Sequence, residues 1–272
     1  MRREFIENSS ARCLKYRKRI LDISQKVGAL HIAPAFSCLE MLDLIYNQLI
    51  DHLDSSCSVG DVFLLSKGHG CIAQYTILED LGVLSTNDLE QYCKTGGILG
   101  AHPDRGTPGI VASTGSLGHG LGLAVGISYA EKLKNSKDKI FVLVSDGELQ
   151  EGSSWEAIMM AANLDCGNLV TFVDYNDFGG LHRMSEFHKA FAPLKEKFLA
   201  FGWECVEVNG HSSIEMYDGL QLRSGNKPFA LICNTTKGKG VDFMENVPIW
   251  HYRSPNRVEY LNAIAQLKEI TK

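Results

Sequence analysis

Five apolar residues in a row, Ile140-Phe141-Val142-Leu143-Val144, run straight into Ser145-Asp146-Gly147-Glu148. Thirty residues after Asp146 stands Asn176, beyond a second apolar run, Leu169-Val170-Thr171-Phe172-Val173. Between the two runs, residues 151–164 carry helical spacing. A strand, an acidic Gly turn, a helix and a second strand can set a carboxylate and an amide at the carboxyl ends of neighbouring parallel strands. Open α/β sheets bind ligands there. Hard oxygen donors at such a place suit Mg²⁺ or Ca²⁺ holding a diphosphate. Taken alone, Asp146 reads equally well as a helix cap after a strand.

The alternation continues. A helix over 190–200, a strand Glu204–Val208, a helix over 212–222, a strand Phe229–Cys233 and a closing helix over about 256–270 follow in turn. Continuous apolar strands are what a sheet buried on both faces requires. The β-α-β-α order therefore predicts an α/β fold with a mostly parallel sheet between helical layers, three layers in all. Upstream, spacing predicts helices over 11–28, Ser37–Ile50, Gly70–Leu81 and Ser85–Lys94, and a short strand Asp61–Leu65. Ser37 with Glu40 reads as a capping box, and Ser85 as an N-cap with Asp88 at the third position. No repeat or linker divides residues 1–272, which are expected to form a single domain.

Residues 95–118 differ from the rest: Gly96, Gly97, Gly100, Gly106, Gly109, Gly115 and Gly118 fall there with Pro103 and Pro108. A long Gly/Pro stretch within a domain is usually functional or disordered. The embedded His102, Arg105, Ser113, Thr114 and His119 favour function. The helix expected over Leu117–Lys134 carries Gly118, Gly120, Gly122 and Gly126. Each glycine inside a helix costs about 1 kcal/mol relative to Ala, so close packing against a backbone or a ligand is expected there.

Composition bounds the function. The 272 residues have 44% hydrophobic and 22% charged content and a net charge of −5. Nothing in that balance points to nucleic acid or an anionic membrane. No apolar run approaches the roughly 20 residues of a membrane helix. The basic N-terminal stretch has no apolar core of the kind a signal peptide needs. The eight cysteines (13, 38, 57, 71, 93, 166, 205 and 233) include no CxxC pair, which disfavours a zinc or redox motif. Scattered thiols fit a reducing cytoplasm.

Several blocks carry a family resemblance: Gly28-Ala29-Leu30-His31, Ser66-Lys67-Gly68-His69-Gly70, Gly100-Ala101-His102-Pro103, Ser113-Thr114-Gly115-Ser116-Leu117-Gly118, Ser145-Asp146-Gly147 with Asn176, and Thr236-Lys237-Gly238-Lys239-Gly240 followed by Trp250-His251. In these, from about residue 12 to 255, the chain resembles the diphosphate-binding part of transketolase, a thiamine diphosphate-binding fold. The resemblance implies that Asp146, Asn176 and the Phe178 carbonyl bind Mg²⁺ (or Ca²⁺). It implies that Gly115, Leu117, Gly147, Glu148, His69 and His251 contact thiamine diphosphate. His31, His69, His102 and His251 are implied at the reacting sugar, and Glu151 in coupling paired active sites, although a helix dipole alone also favours Glu151. Lys237 and Lys239 are implied at the site's rim or read as solvated charge. His119 falls where the family more often has Gln and is expected near the cofactor. His52, His182, His188 and His211 read as ordinary surface or core residues.

The family's pyrimidine-binding domain, with the Glu that activates the cofactor, has no counterpart in this sequence. The expectation is therefore the N-terminal subunit of a split transketolase, paired with a separate C-terminal subunit, as α₂β₂, and acting on sugars or sugar phosphates. Alternatives are a subunit of another thiamine diphosphate enzyme, 1-deoxyxylulose-5-phosphate synthase-like or 2-oxoacid decarboxylating, or a non-catalytic subunit. Departures are Ser145 for the first Gly of the signature, and Leu30 and Ile32 flanking His31 where the family usually has Gly and Pro. They point to a specialised sugar.

Overall fold

The apolar runs become strands. The computed structural model of the chain describes residues 6, 8–28, 30–50 and 60–269. Five parallel strands form one sheet: β1 (Val62–Leu65), β2 (Ile140–Ser145), β3 (Leu169–Tyr175), β6 (Glu204–Asn209) and β7 (Phe229–Asn234). A hairpin of β4 (Phe178–Gly179) and β5 (His182–Arg183) stands apart from it. The order across the sheet is β1-β2-β3-β7-β6, every pair parallel.

Alternate side chains leave the sheet on opposite faces. Phe141, Leu143, Val170, Phe172 and Leu231 pack beneath the helices Ser9–Ser24, Ile32–Ser37, Cys71–Asp80 and Arg257–Glu269. Ile140, Val142, Val144, Val173 and Ile232 pack against the helices Gly120–Leu133, Gly152–Asn163 and Leu194–Ala200. Two apolar cores, one on each face, make the three layers expected. Burying each large aliphatic side chain contributes about 1.5–3 kcal/mol, and it is this double-sided burial that holds the sheet between its helices.

The parallel arrangement brings the carboxyl ends of β1, β2, β3 and β7 to one rim. The segments leaving that rim carry Ser66 to His69, Ser145 to Glu148, Asn176 and Lys237.

Several local expectations are corrected. Ser37 is no N-cap: it ends the helix Ile32–Ser37, and the chain re-enters helix at Leu39 after a non-helical Cys38 (φ −106°, ψ 8°). The Ser37 hydroxyl is drawn into the core by Asp174, and Glu40 by Arg17 and His211. The helix predicted over 190–200 shortens to Leu194–Ala200, and that over Ser85–Lys94 to Thr86–Glu90, the latter with its Ser85–Asp88 capping box in place. In the Gly-rich helix, only Gly120 meets a neighbour, Ser66, while Gly122 and Gly126 face open space. Gly118, which precedes the helix, packs against Ser153 and Glu151, so the expected close packing holds for Gly118 and Gly120 and not for Gly122 and Gly126. Residue 270 of the closing helix, Ala29 and His52 lie outside the described residues.

No described helix is long and apolar enough to cross a membrane. The seven described cysteines are free.

Candidate active site

A cleft of about 410 Å³ opens at the rim where the strands end. Its walls come from the segment after β1 (His69), the Gly/Pro stretch (His102, Gly115, Leu117), the β2 turn (Ser145, Gly147), the hairpin (Phe178, His182), the loop after β7 (Lys237) and the short 3₁₀ turn Pro248–Tyr252 (His251). His31, just ahead of the helix Ile32–Ser37, completes it.

The four histidines named from sequence converge. The His31 ring lies 5.6 Å from His69, 5.9 Å from His102 and 5.4 Å from His251, centroid to centroid. His69 and His251 are 5.5 Å apart. Burial lowers His31 to about 4 and His251 to about 3, with neighbouring positive charge adding to it. Burial also holds His69 well below its ordinary value. These three rings are neutral at neutral pH, so each offers one donor and one acceptor nitrogen.

Beside them, the Lys237 ammonium donates to the Gly180 carbonyl (3.0 Å) and to Nδ1 of His251 (2.8 Å), and lies over the Phe178 ring. When Lys237 is protonated, that contact leaves the ring proton of His251 on Nε2. Burial, with Lys67 adding to it, brings Lys237 down to about 7. Lys239 lies apart, half-exposed and 3.5 Å from Glu245, so the two lysines separate into one that lines the cleft and one in solvent.

The oxygen donors follow β2 and β3. Asp146 is wholly buried. Its Oδ1 accepts from Gly147 N–H (2.8 Å) and its Oδ2 from Asp177 N–H (2.6 Å). Burial and then the nearby Asp174 charge raise Asp146 to about 7. Asn176 and Phe178 line the cleft. Gly147 is needed for close approach, since a Cβ there would stand 3.0 Å from the Phe178 carbonyl oxygen. Ser145 keeps the turn: its hydroxyl accepts from Glu148 N–H at 3.2 Å.

Glu148 lies behind the lining. Its Oε1 accepts from Ser66 Oγ and from Gly118 N–H, and burial raises its pKa. Its Oε2 is buried with no hydrogen-bond partner. Glu151 is exposed and is the N-cap of the helix Gly152–Asn163, whose N-terminus follows the β2 turn. His119 is exposed at the start of the helix Gly120–Leu133 and does not line the cleft.

Sequence reasoning missed His182 and His188, which line the cleft. The short hairpin that carries His182 and the single-turn helix Met184–Phe187 that precedes His188 have no periodic pattern to reveal them. It also missed Tyr252, whose ring lies 4.5 Å from that of His31. His211 proves structural in an unforeseen way. Its Nε2 accepts from Thr236 N–H (2.8 Å) and its Nδ1 bonds Glu40 (3.0 Å), which Arg17 also holds at 2.7 Å. Through this chain the loop carrying Lys237 is braced from beneath.

Among the described residues no three His, Cys, Asp or Glu side chains are grouped to hold a metal by themselves. One carboxylate, one amide and one carbonyl leave a cation needing further oxygens. A diphosphate and water supply such oxygens to Mg²⁺. The donor chemistry and the glycine-lined floor fit a metal diphosphate.

Residues 9–252 match the family described as transketolase, thiamine diphosphate binding domain. An apulose-4-phosphate transketolase subunit of Phocaeicola vulgatus is 35% identical, over 97% of this chain and 95% of that protein. A 6-deoxy-6-sulfo-D-fructose transketolase subunit of a Clostridium species is 33% identical, over 93% and 94%. Among solved structures, transketolase of Campylobacter jejuni superposes with a TM-score of 0.88 at 26% identity. That of Leishmania mexicana superposes at 0.87 with 24% identity, a likeness of fold. The matches cover 97% of this chain in both cases, and 43% and 41% of those two chains.

Proposed function

The chain belongs to the transketolase family through its thiamine diphosphate binding domain, and on that premise we propose that it is the N-terminal subunit of a split transketolase. The activity is a transferase reaction: a two-carbon ketol unit passes from a ketose to an aldose. A separate C-terminal subunit completes the site, in an α₂β₂ assembly, in the cytoplasm. The observation that carries this reading is the meeting of Asn176 and Phe178 with four histidines around one cleft, with the buried Asp146 between its lining residues Ser145 and Gly147. Two relatives named as separate transketolase subunits, each of nearly this length, support it. Their names specify sugars with a phosphate or sulfonate, and a ketose with an anionic end group is the substrate class proposed here.

In this reading Asp146, the Asn176 amide oxygen and the Phe178 carbonyl hold Mg²⁺ (or Ca²⁺), which neutralises the diphosphate. Gly115, Leu117, Gly147, His69 and His251 form the cofactor's bed, and Glu148 fixes that bed from behind through Gly118. When bound, thiamine diphosphate supplies the electron sink for breaking and forming a carbon–carbon bond beside a carbonyl.

The chain's own residues handle protons and water. His31, His102 and His251 face sugar hydroxyls and can accept or donate a proton at their ring nitrogens. Lys237, brought to about 7, meets Nδ1 of His251, so the tautomer of that ring follows the protonation of the lysine. Glu151 is assigned to coupling between paired sites.

The test is co-expression with a protein that carries the pyrimidine domain, followed by assay with thiamine diphosphate, Mg²⁺ and panels of ketoses and aldoses. Ketol transfer by the pair, and none by either protein on its own, is expected. Failure of the pair to transfer to any aldose overturns the proposal.

A further inference from the structure

Two fully buried charges, Lys67 and Asp174, take no part in the chemistry above. Asp174 interrupts the apolar run of β3, in register with Ser145 of β2. A strand buried on both faces tolerates a carboxylate only if it is paired and hydrogen-bonded. Asp174 is saturated. Its Oδ2 meets Lys67 Nζ, Ser37 Oγ (2.6 Å) and Asn176 Nδ2 (3.0 Å), and its Oδ1 accepts from Thr235 Oγ1. Lys67 Nζ also donates to the Pro34 carbonyl at 3.0 Å. With four donors on its two oxygens, Asp174 has no capacity left for a cation, although it stands two residues from Asn176.

The contact to Asn176 decides an orientation. The Asn176 amide gives its NH₂ to Asp174, and its oxygen accepts from Phe178 N–H at 3.1 Å. Turned over, the amide would set oxygen against carboxylate and NH₂ against N–H, and both contacts would become repulsive. The carboxylate therefore keeps the amide oxygen turned toward Phe178, a lining residue of the cleft.

The other partners of Asp174, and Pro34 that holds Lys67, belong to three segments that carry the remaining chemistry. Pro34 and Ser37 lie in the helix that begins after His31, Lys67 lies two residues before His69, and Thr235 lies two residues before Lys237.

We propose that the Lys67–Asp174 ion pair is a positioning hub that locks the Asn176 amide with its oxygen toward the cation and ties the His31, His69 and Lys237 segments to that orientation. Lys67 cancels the charge of Asp174, so Asp146 is left as the carboxylate that faces a dication. This inference rests on the metal-diphosphate reading above, and the experiment separates the two.

Mn²⁺ serves as the cation probe, its free concentration read by electron paramagnetic resonance, in the presence of thiamine diphosphate and the partner subunit. Wild-type protein is expected to take up Mn²⁺ only with thiamine diphosphate. No uptake by the wild type overturns the metal-diphosphate reading, and the hub with it. The paired variant Lys67→Met/Asp174→Asn removes both charges at nearly constant volume, so the melting temperature should stay close to wild type. Its Mn²⁺ affinity should fall at least about tenfold, as for loss of an outer-shell partner. Thr235→Val removes one donor and leaves the ion pair, and should weaken Mn²⁺ about threefold, with Thr235→Ser restoring it. If the wild type binds Mn²⁺ and the folded paired variant binds it equally well, the hub fails. Should that variant not fold, wild-type Mn²⁺ affinity in Thr235→Val overturns the proposal instead.

Discussion

Gly115 holds φ +120°, and a Cβ there would stand 2.4 Å from the His102 ring. Both constraints act at the wall of the cleft. Gly115→Ala should therefore destabilise the chain by about 1–3 kcal/mol, read from its urea midpoint. An unchanged midpoint would show that the loop relaxes freely. A second prediction concerns protons. His31 and His251, held at about 4 and about 3 against an ordinary 6.5, bind fewer protons folded than unfolded. Their contribution to stability is present above pH 6.5 and is lost as pH falls toward 4. Asp146 acts in the opposite sense. Raised to about 7 from 3.8, it makes the metal-free fold less stable as pH rises through that window. His31→Asn/His251→Asn should thus flatten the acid-side loss of melting temperature between about pH 6.5 and about pH 4.5. An identical slope would contradict the burial of those rings. At this scale the sequence was only half legible. Glycine and histidine blocks pointed to Gly115 and four rings, because fixed spacing within a motif survives folding. Lys67 and Asp174 were invisible as partners, since 107 residues separate them. The available signal was a carboxylate inside an apolar strand, which had to find a cation somewhere.

Among the elements, β2, β6 and β7 each extend only one residue past the apolar and strand-like runs read from sequence, and β3 two past its apolar core. A strand buried on both faces writes itself as an uninterrupted run. Helices were less legible where tertiary contacts override local preference. Ser37 looked like a cap and became a core ligand of Asp174, because a buried carboxylate holds a hydroxyl more strongly than a helix N-terminus does. The Gly-rich helix Gly120–Leu133 gives a direct test. Gly126 is exposed, with nothing within 4 Å of where a Cβ would be. Gly126→Ala should stabilise the isolated chain by about 0.5–1 kcal/mol, measured by chemical denaturation. A fall in stability would mean that this face is not open in the isolated chain.

For the molecule as a whole, alternation of apolar runs was enough to foretell three layers and a parallel sheet, since few arrangements bury such strands twice. It could not foretell that the hairpin β4–β5 would swing His182 toward the cleft. That depends on the turn at Asp177, whose φ is +67° and whose side chain holds Ser185 and Arg183. A sheet whose strands all run one way also has two unlike rims. The chemistry-bearing segments that follow β1, β2, β3 and β7 leave the carboxyl rim. The amino rim carries plain connections, among them the turn from Lys134 to Lys137 that precedes β2, largely exposed. The opposite rim is accordingly the handle of the molecule. A fluorophore, a surface tether or an inserted tag placed there would report on the cleft, or hold the protein still, from a full strand length away.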